Sequence, residues 1–250
     1  MPTTADLLYL AVFALVWPLT DYYVFWPRFL AHVQREPNAA RRRLWSSAIV
    51  EQWLLTGAGM VLWRCQDRAW ESLGLGLPNN WRLGVALVLI ALLAFSYYRT
   101  AAKVARSPKA QASVRGKLGD LEPILPHLQG DLPWFVALSL TAGFCEEFLF
   151  RGYFVTVLAP WLSWWGAAVV SVPIFGLLHA YQGKAGIVRT AMIGLAFTLI
   201  VAAFASLWPA IILHAIIDIG SGSVCWLALR SAPPVEPLGS LDDSSKGNAP

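Results

Sequence analysis

Seven stretches of roughly twenty largely apolar residues dominate this chain, each long enough as a helix to cross the ~30 Å hydrocarbon core of a bilayer. They run approximately Ala5–Trp26, Leu44–Trp63, Trp81–Tyr98, Leu132–Leu158, Trp161–Ala180, Gly186–Leu207 and Trp208–Leu229. In lipid every backbone N–H and C=O must find its partner within the protein, as a helix provides. The expected fold is therefore all-α: a polytopic membrane protein of about seven transmembrane helices. Composition agrees, with 57% hydrophobic and 14% charged residues, against about 25% charged in an ordinary soluble domain. Thirteen Trp suit a chain whose ring systems sit at bilayer interfaces. Disorder and a disulfide-stapled secreted domain are excluded. Cys65, Cys145 and Cys225 show no paired spacing and read as small buried hydrophobes. A net charge of +4 does not point to nucleic acid, so the expected partner is the lipid bilayer.

The distribution of that charge is more telling than its sum. With seven crossings, the 28–43 loop carries five of the nineteen Lys and Arg residues and the 99–131 loop carries six. Lys184 and Arg189 fall on the same side, as do Arg230 and Lys246 in the tail, leaving four opposite: Arg64, Arg68, Arg82 and Arg151. The positive-inside rule then places the N-terminus outside and the C-terminus in the cytoplasm, an arrangement expected of a bacterial inner (plasma) membrane protein. The first segment lacks a basic n-region and is expected to stay as a helix rather than be cleaved. Three regions follow: residues 1–120, N-terminal helices and a basic cytoplasmic loop; 121–230, a stiff connector and the remaining helices, which the family resemblance given below makes the catalytic core; and 231–250, a Pro-, Ser- and Gly-rich tail expected to be disordered.

An ionisable residue at mid-membrane costs about 2.5–3.5 kcal/mol on insertion scales and is a functional candidate by default. The C-terminal half holds six: Glu146, Glu147, Arg151, His179, His214 and Asp218. Glu147 and Arg151 are four apart with the acid first, the favourable order for an ion pair on one helix face. Glu146 is rotated about 100° from Glu147 and is left free for chemistry. His214 and Asp218 are also four apart, so the carboxylate can orient the imidazole or share a site with it. Phe175, one turn before His179, can wall that ring against lipid. With neutral histidines the six groups carry a net negative charge, so the site should bind a cation or hold a proton on one acid. A carboxylate beside histidine can activate water, and a second imidazole or a metal can stabilise an oxyanion. The same residue types also serve proton or cation transport. HExxH, GxSxG and GxGD motifs are missing, and nothing marks Ser221 or Ser223 as a nucleophile.

Three segments carry a family resemblance. Ala142-Gly-Phe-Cys-Glu-Glu-Phe-Leu-Phe-Arg-Gly152 resembles the EExxxR motif of the CPBP intramembrane proteases, also called the Abi or type II CAAX prenyl endopeptidase family. Phe175-Gly-Leu-Leu-His179 resembles its FxxxH motif, and the stretch Leu207 to Asp218 its HxxxN or HxxxD motif. The order is the family's, and the likeness covers roughly Leu121 to Ser223. It implies an all-helical intramembrane protease fold that hydrolyses a peptide bond of a membrane-associated peptide or protein. Glu146 would be the general base, His179 would help hold its water, and His214 and Asp218 would face the scissile carbonyl. Glu147 and Arg151 would buttress their helix. The family is described both as zinc-type metalloproteases, with Glu146, His179 and His214 as the candidate ligands, and as metal-free glutamate proteases. Asp218 stands where prenyl endopeptidases carry Asn and cannot donate to an oxyanion unless protonated, which suggests a role in orienting His214. Two rival readings are a non-catalytic peptide-binding or immunity protein and a proton or cation transporter. Upright helices would put Glu146, His179 and His214 at different depths, so convergence requires tilted or offset helices.

Overall fold

The computed structural model describes residues 1–78 and 80–230, so the 231–250 tail lies outside the described residues. Among the described residues eight helices follow one another: α1 (Thr4–Val33), α2 (Pro37–Cys65), α3 (Asn80–Arg106), α4 (Pro108–Arg115), α5 (Leu132–Glu147), α6 (Val155–Leu177), α7 (Gly183–Phe204) and α8 (Trp208–Leu229). There is no strand among the described residues, and five runs in them are long and apolar enough to cross a membrane: Thr4–Val33, Trp81–Arg106, Gln129–Leu177, Ala180–Phe204 and Trp208–Leu229. The count differs from seven for two physical reasons. The expected second crossing lies in α2, where Ser46, Ser47, Glu51 and Gln52 dilute the apolar stretch. The expected fourth and fifth form a single helical run, in which a wide π-helical turn over Phe148–Phe154 joins α5 to α6.

That run bends sharply at Ser163, where φ is 60° and ψ 167°, three residues after Pro160. The Ser163 hydroxyl accepts from the Gly166 N–H at 3.3 Å, capping the second arm as a new helix start. Two tightly folded arms result. Glu146 lies seventeen residues before the bend and His179 sixteen after it, so at 1.5 Å per residue each sits about 25 Å from it.

The α7–α8 turn closes on Ala205 in the left-handed region (φ 50°) and docks against the segment after the short 3-10 turn Trp70–Leu73. Leu207 N–H donates to Gly74 O at 2.8 Å, Ser206 Oγ to Gly76 O at 2.6 Å and Trp208 Nε1 to Leu75 O at 2.7 Å. Gly152 sits against the same turn, its missing Cβ only 3.2 Å from Leu207 Cδ1. Glu146 is six residues before Gly152 and His214 seven after Leu207, so both lie about 10 Å from that contact. The depth mismatch of upright helices is removed in this way: one arm folds back, and one turn is seated on an inner segment.

The packed centre is aromatic, with Phe13, Phe148, Phe150, Tyr153 and Phe175 all at most 2% exposed. At one end of it, Asp6 is fully buried and accepts from Arg68 (2.6 and 2.9 Å), Tyr153 Oη (2.7 Å), Gln66 (3.2 Å) and Thr3 N–H (2.7 Å). This satisfied charge ties the start of α1 to the segment after α2 and to the π-helical turn.

Candidate active site

The site is assembled from α2, α5, α6 and α8, with α7 closing it behind. Close approach of α5 and α8 depends on Gly143, where a Cβ would stand 2.9 Å from Ile211 O and 3.1 Å from Ala215. Any larger residue would hold the two helices apart just where Glu146, Glu147 and His214 must meet.

Glu147 and Arg151 form an ion pair of 2.9 Å with both side chains fully buried. The same carboxylate oxygen, Oε1, accepts from His214 Nδ1 at 2.9 Å. Arg151 extends from the pair to donate to Gly194 O at 2.9 Å and lies over the Phe175 ring at 4.3 Å. Gly194 is a fit condition as well, because a Cβ there would come within 2.7 Å of the guanidinium. The sequence leaves open whether Asp218 orients His214. In the structure Glu147 holds the ring through Nδ1, and Asp218 Oδ2 approaches the opposite nitrogen, Nε2, at 3.6 Å.

His179 is oriented in the same manner but by backbone: its Nδ1 donates to Phe175 O at 2.9 Å. With both Nδ1 atoms committed, each ring turns its Nε2 toward one spot, an acceptor where the ring is neutral and a donor where it is an imidazolium. Glu146 Oε2 faces that spot, 3.8 Å from His214 Nε2 and 4.0 Å from His179 Nε2, and has no hydrogen-bond partner among the described residues. These separations are too long for direct hydrogen bonds and suit one small polar guest between the three atoms. The pocket is only partly open: the side chains of His179 and Glu146 are 16% and 17% exposed, that of Asp218 36%. Phe175 packs 5.0 Å from the His179 ring and 6.4 Å from that of His214, so it borders both imidazoles.

Three contributors escape the motif reading. Phe197 stacks on the His214 ring at 5.0 Å, and Gly194 supplies the carbonyl that receives Arg151. Gln52 of α2 donates from Nε2 to Glu146 Oε1 at 3.4 Å. A lone amide, a phenyl ring and a carbonyl in apolar helices leave no spacing signal; only the cost of an amide in lipid could have flagged Gln52.

Glu146, His179 and His214 are donor types that zinc accepts. Among the described residues, however, no group of three or more His, Cys, Asp and Glu side chains is arranged to hold a metal ion. As they stand, the carboxylate and the two imidazoles fit a guest that hydrogen-bonds better than one that is ligated at ~2 Å.

Residues 128–220 match the family model for type II CAAX prenyl endopeptidase Rce1-like proteins. The match takes in Glu146, Glu147, Arg151, Phe175, His179, His214 and Asp218 and leaves Gln52 outside. Residues 128–220 are thus similar to a CAAX-type intramembrane protease domain, in a chain whose described residues include five helical runs long and apolar enough to cross a membrane. Neither the curated proteins nor the solved structures give a match.

Proposed function

We propose that this chain, built around its Rce1-like domain, is an intramembrane endopeptidase that hydrolyses a peptide bond of a membrane-associated peptide or protein. The observation that carries this reading is the unpartnered Glu146 Oε2 facing two Nε2 atoms at 3.8 and 4.0 Å. A water seated among them donates one O–H to Glu146 Oε2 and the other to His179 Nε2, leaving an oxygen lone pair free for attack. As the water oxygen bonds to the scissile carbon, its proton passes to Glu146 and the carbonyl oxygen takes up negative charge. His214, in its imidazolium form, donates from Nδ1 to Glu147 and from Nε2 to that oxyanion. Collapse of the tetrahedral adduct breaks the C–N bond while Glu146 returns its proton to the leaving nitrogen. Asp218 flanks the donor edge of His214 and favours its charged form during this step. Arg151 neutralises Glu147, so the pair that fixes His214 adds no net charge to the pocket.

Residues 1–120 frame this machinery and 121–230 carry most of it. The name of the matched family makes a prenylated C-terminus one substrate to test, alongside unmodified membrane peptides. With α2 and each arm of the run bent at Ser163 taken as a crossing, the Lys and Arg distribution supports an integral protein of a bacterial inner membrane with its N-terminus outside.

The test is cleavage by the purified protein, with wild type, Glu146→Gln and His214→Ala each incubated with prenylated and unprenylated membrane peptides. Wild type should cut at least one of them, and both variants should lose the activity. Cleavage that survives Glu146→Gln would overturn the assignment of the base.

A further inference from the structure

We infer that Gln52 is a positioning residue for Glu146, so that α2, outside the Rce1-like domain, completes the active site. This rests on the endopeptidase reading above. A carboxylate with two equivalent oxygens can rotate and present either one to water. Here the two are made unlike: Oε1 accepts from Gln52 Nε2 at 3.4 Å, and Oε2 stays unpartnered before His179 and His214. The amide is also the right chemical choice. A cationic donor would cancel the charge the base needs, whereas a neutral N–H fixes the carboxylate and leaves its charge intact.

The neighbours of Gln52 show that its place is fixed. Trp53 Nε1 donates to Thr141 Oγ1 at 3.2 Å, and its ring stacks on Phe144 at 5.5 Å and 20°. Thr141 and Phe144 lie on α5 within the turn and a half before Glu146. Farther along the same helix, Trp45 is 1% exposed and donates to Ile124 O at 3.0 Å. The depth and rotation of α2 are therefore set from both sides of Gln52. Its own Oε1 is buried without a partner, a cost that packing alone gives no reason to bear.

Four side chains at this position separate positioning from filling. Met keeps the shape and loses the donor, Glu keeps the shape and adds a like charge, and Asn keeps the donor but is one methylene short. If Gln52 positions the base, kcat should fall in the order Gln, Asn, Met, Glu at nearly constant KM. The Gln52→Met loss should be roughly ten- to a hundredfold. If Gln52 only fills space, Met stays near wild type and Asn, which leaves a gap, falls below Met, while Glu loses activity on either account through its charge; Asn below Met would overturn the inference, as would a raised KM at unchanged kcat. A second measurement needs no activity. The Glu146 carboxylate stretch, identified in the infrared difference spectrum by its loss in Glu146→Gln, should shift in Gln52→Met. An unmoved band would overturn the inference even if wild type cuts none of the peptides, an outcome that by itself counts only against the endopeptidase reading.

Discussion

The Glu147–Arg151 pair should be dispensable for folding and indispensable for function, and a double-mutant cycle separates the two. Both side chains are fully buried, so removing one partner strands a charge, at a cost of about 3–5 kcal/mol. Glu147→Leu and Arg151→Met should each be destabilising by that amount. The double variant carries neither charge. Gly194 O still accepts from Thr198 Oγ1 at 2.9 Å, so it is not orphaned. What remains is an unpaired His214 Nδ1–H, about 1–3 kcal/mol. The double variant should therefore lie well above the sum of the singles, with a coupling energy of at least ~3 kcal/mol. Equilibrium unfolding in detergent micelles, followed by tryptophan fluorescence, measures all four corners. Peptide cleavage by the folded double variant should nonetheless drop roughly a hundredfold, because His214 has lost the acceptor that aims it. A double variant as unstable as the two singles combined would refute the account of the pair as a charge-balanced unit.

Three further outcomes follow from the packing and the site. Gly143→Leu drives a side chain into Ile211 O and Ala215; it should cost about 1–3 kcal/mol and abolish cleavage, and wild-type activity would show that α5 and α8 need not touch. Phe175→Ala, at a ring 2% exposed that packs near both histidines, should lower stability by about 3–5 kcal/mol in micelle unfolding, and a loss below ~1 kcal/mol would contradict its placement. With donors spaced for a hydrogen-bonded guest, cleavage should continue after exhaustive chelation with no metal detected by elemental analysis; activity lost on chelation and regained with zinc alone would replace the water-only mechanism.

Most of the helical layout is legible from hydropathy, because lipid enforces long apolar runs and their residues are contiguous. Pairing within a helix is legible too: spacing alone joins Glu147 to Arg151 and leaves Glu146 apart. Contacts between helices are less so. Length counting treats each crossing as an upright rod, which hides the bend at Ser163 and the docking of Leu207 on Gly74, the two features that bring His179 and His214 level with Glu146. The partner of His214 is likewise invisible in one dimension. The sequence offers Asp218 by its spacing, while the bond goes to Glu147, sixty-seven positions away, through an approach that Gly143 permits.

The bend at Ser163 makes the two stretches on either side of it work as a caliper. Its jaws are Glu146 and His179, and their gap is set by the near equality of two stretches of chain, which also touch where Arg151 lies over Phe175. One residue added to a single stretch would lift its jaw by about 1.5 Å and swing it by about 100°. A matching insertion in the opposite stretch would cancel the lift but leave both jaws turned. Length changes here should therefore be tolerated only in near-multiples of a helical turn, and in both limbs together.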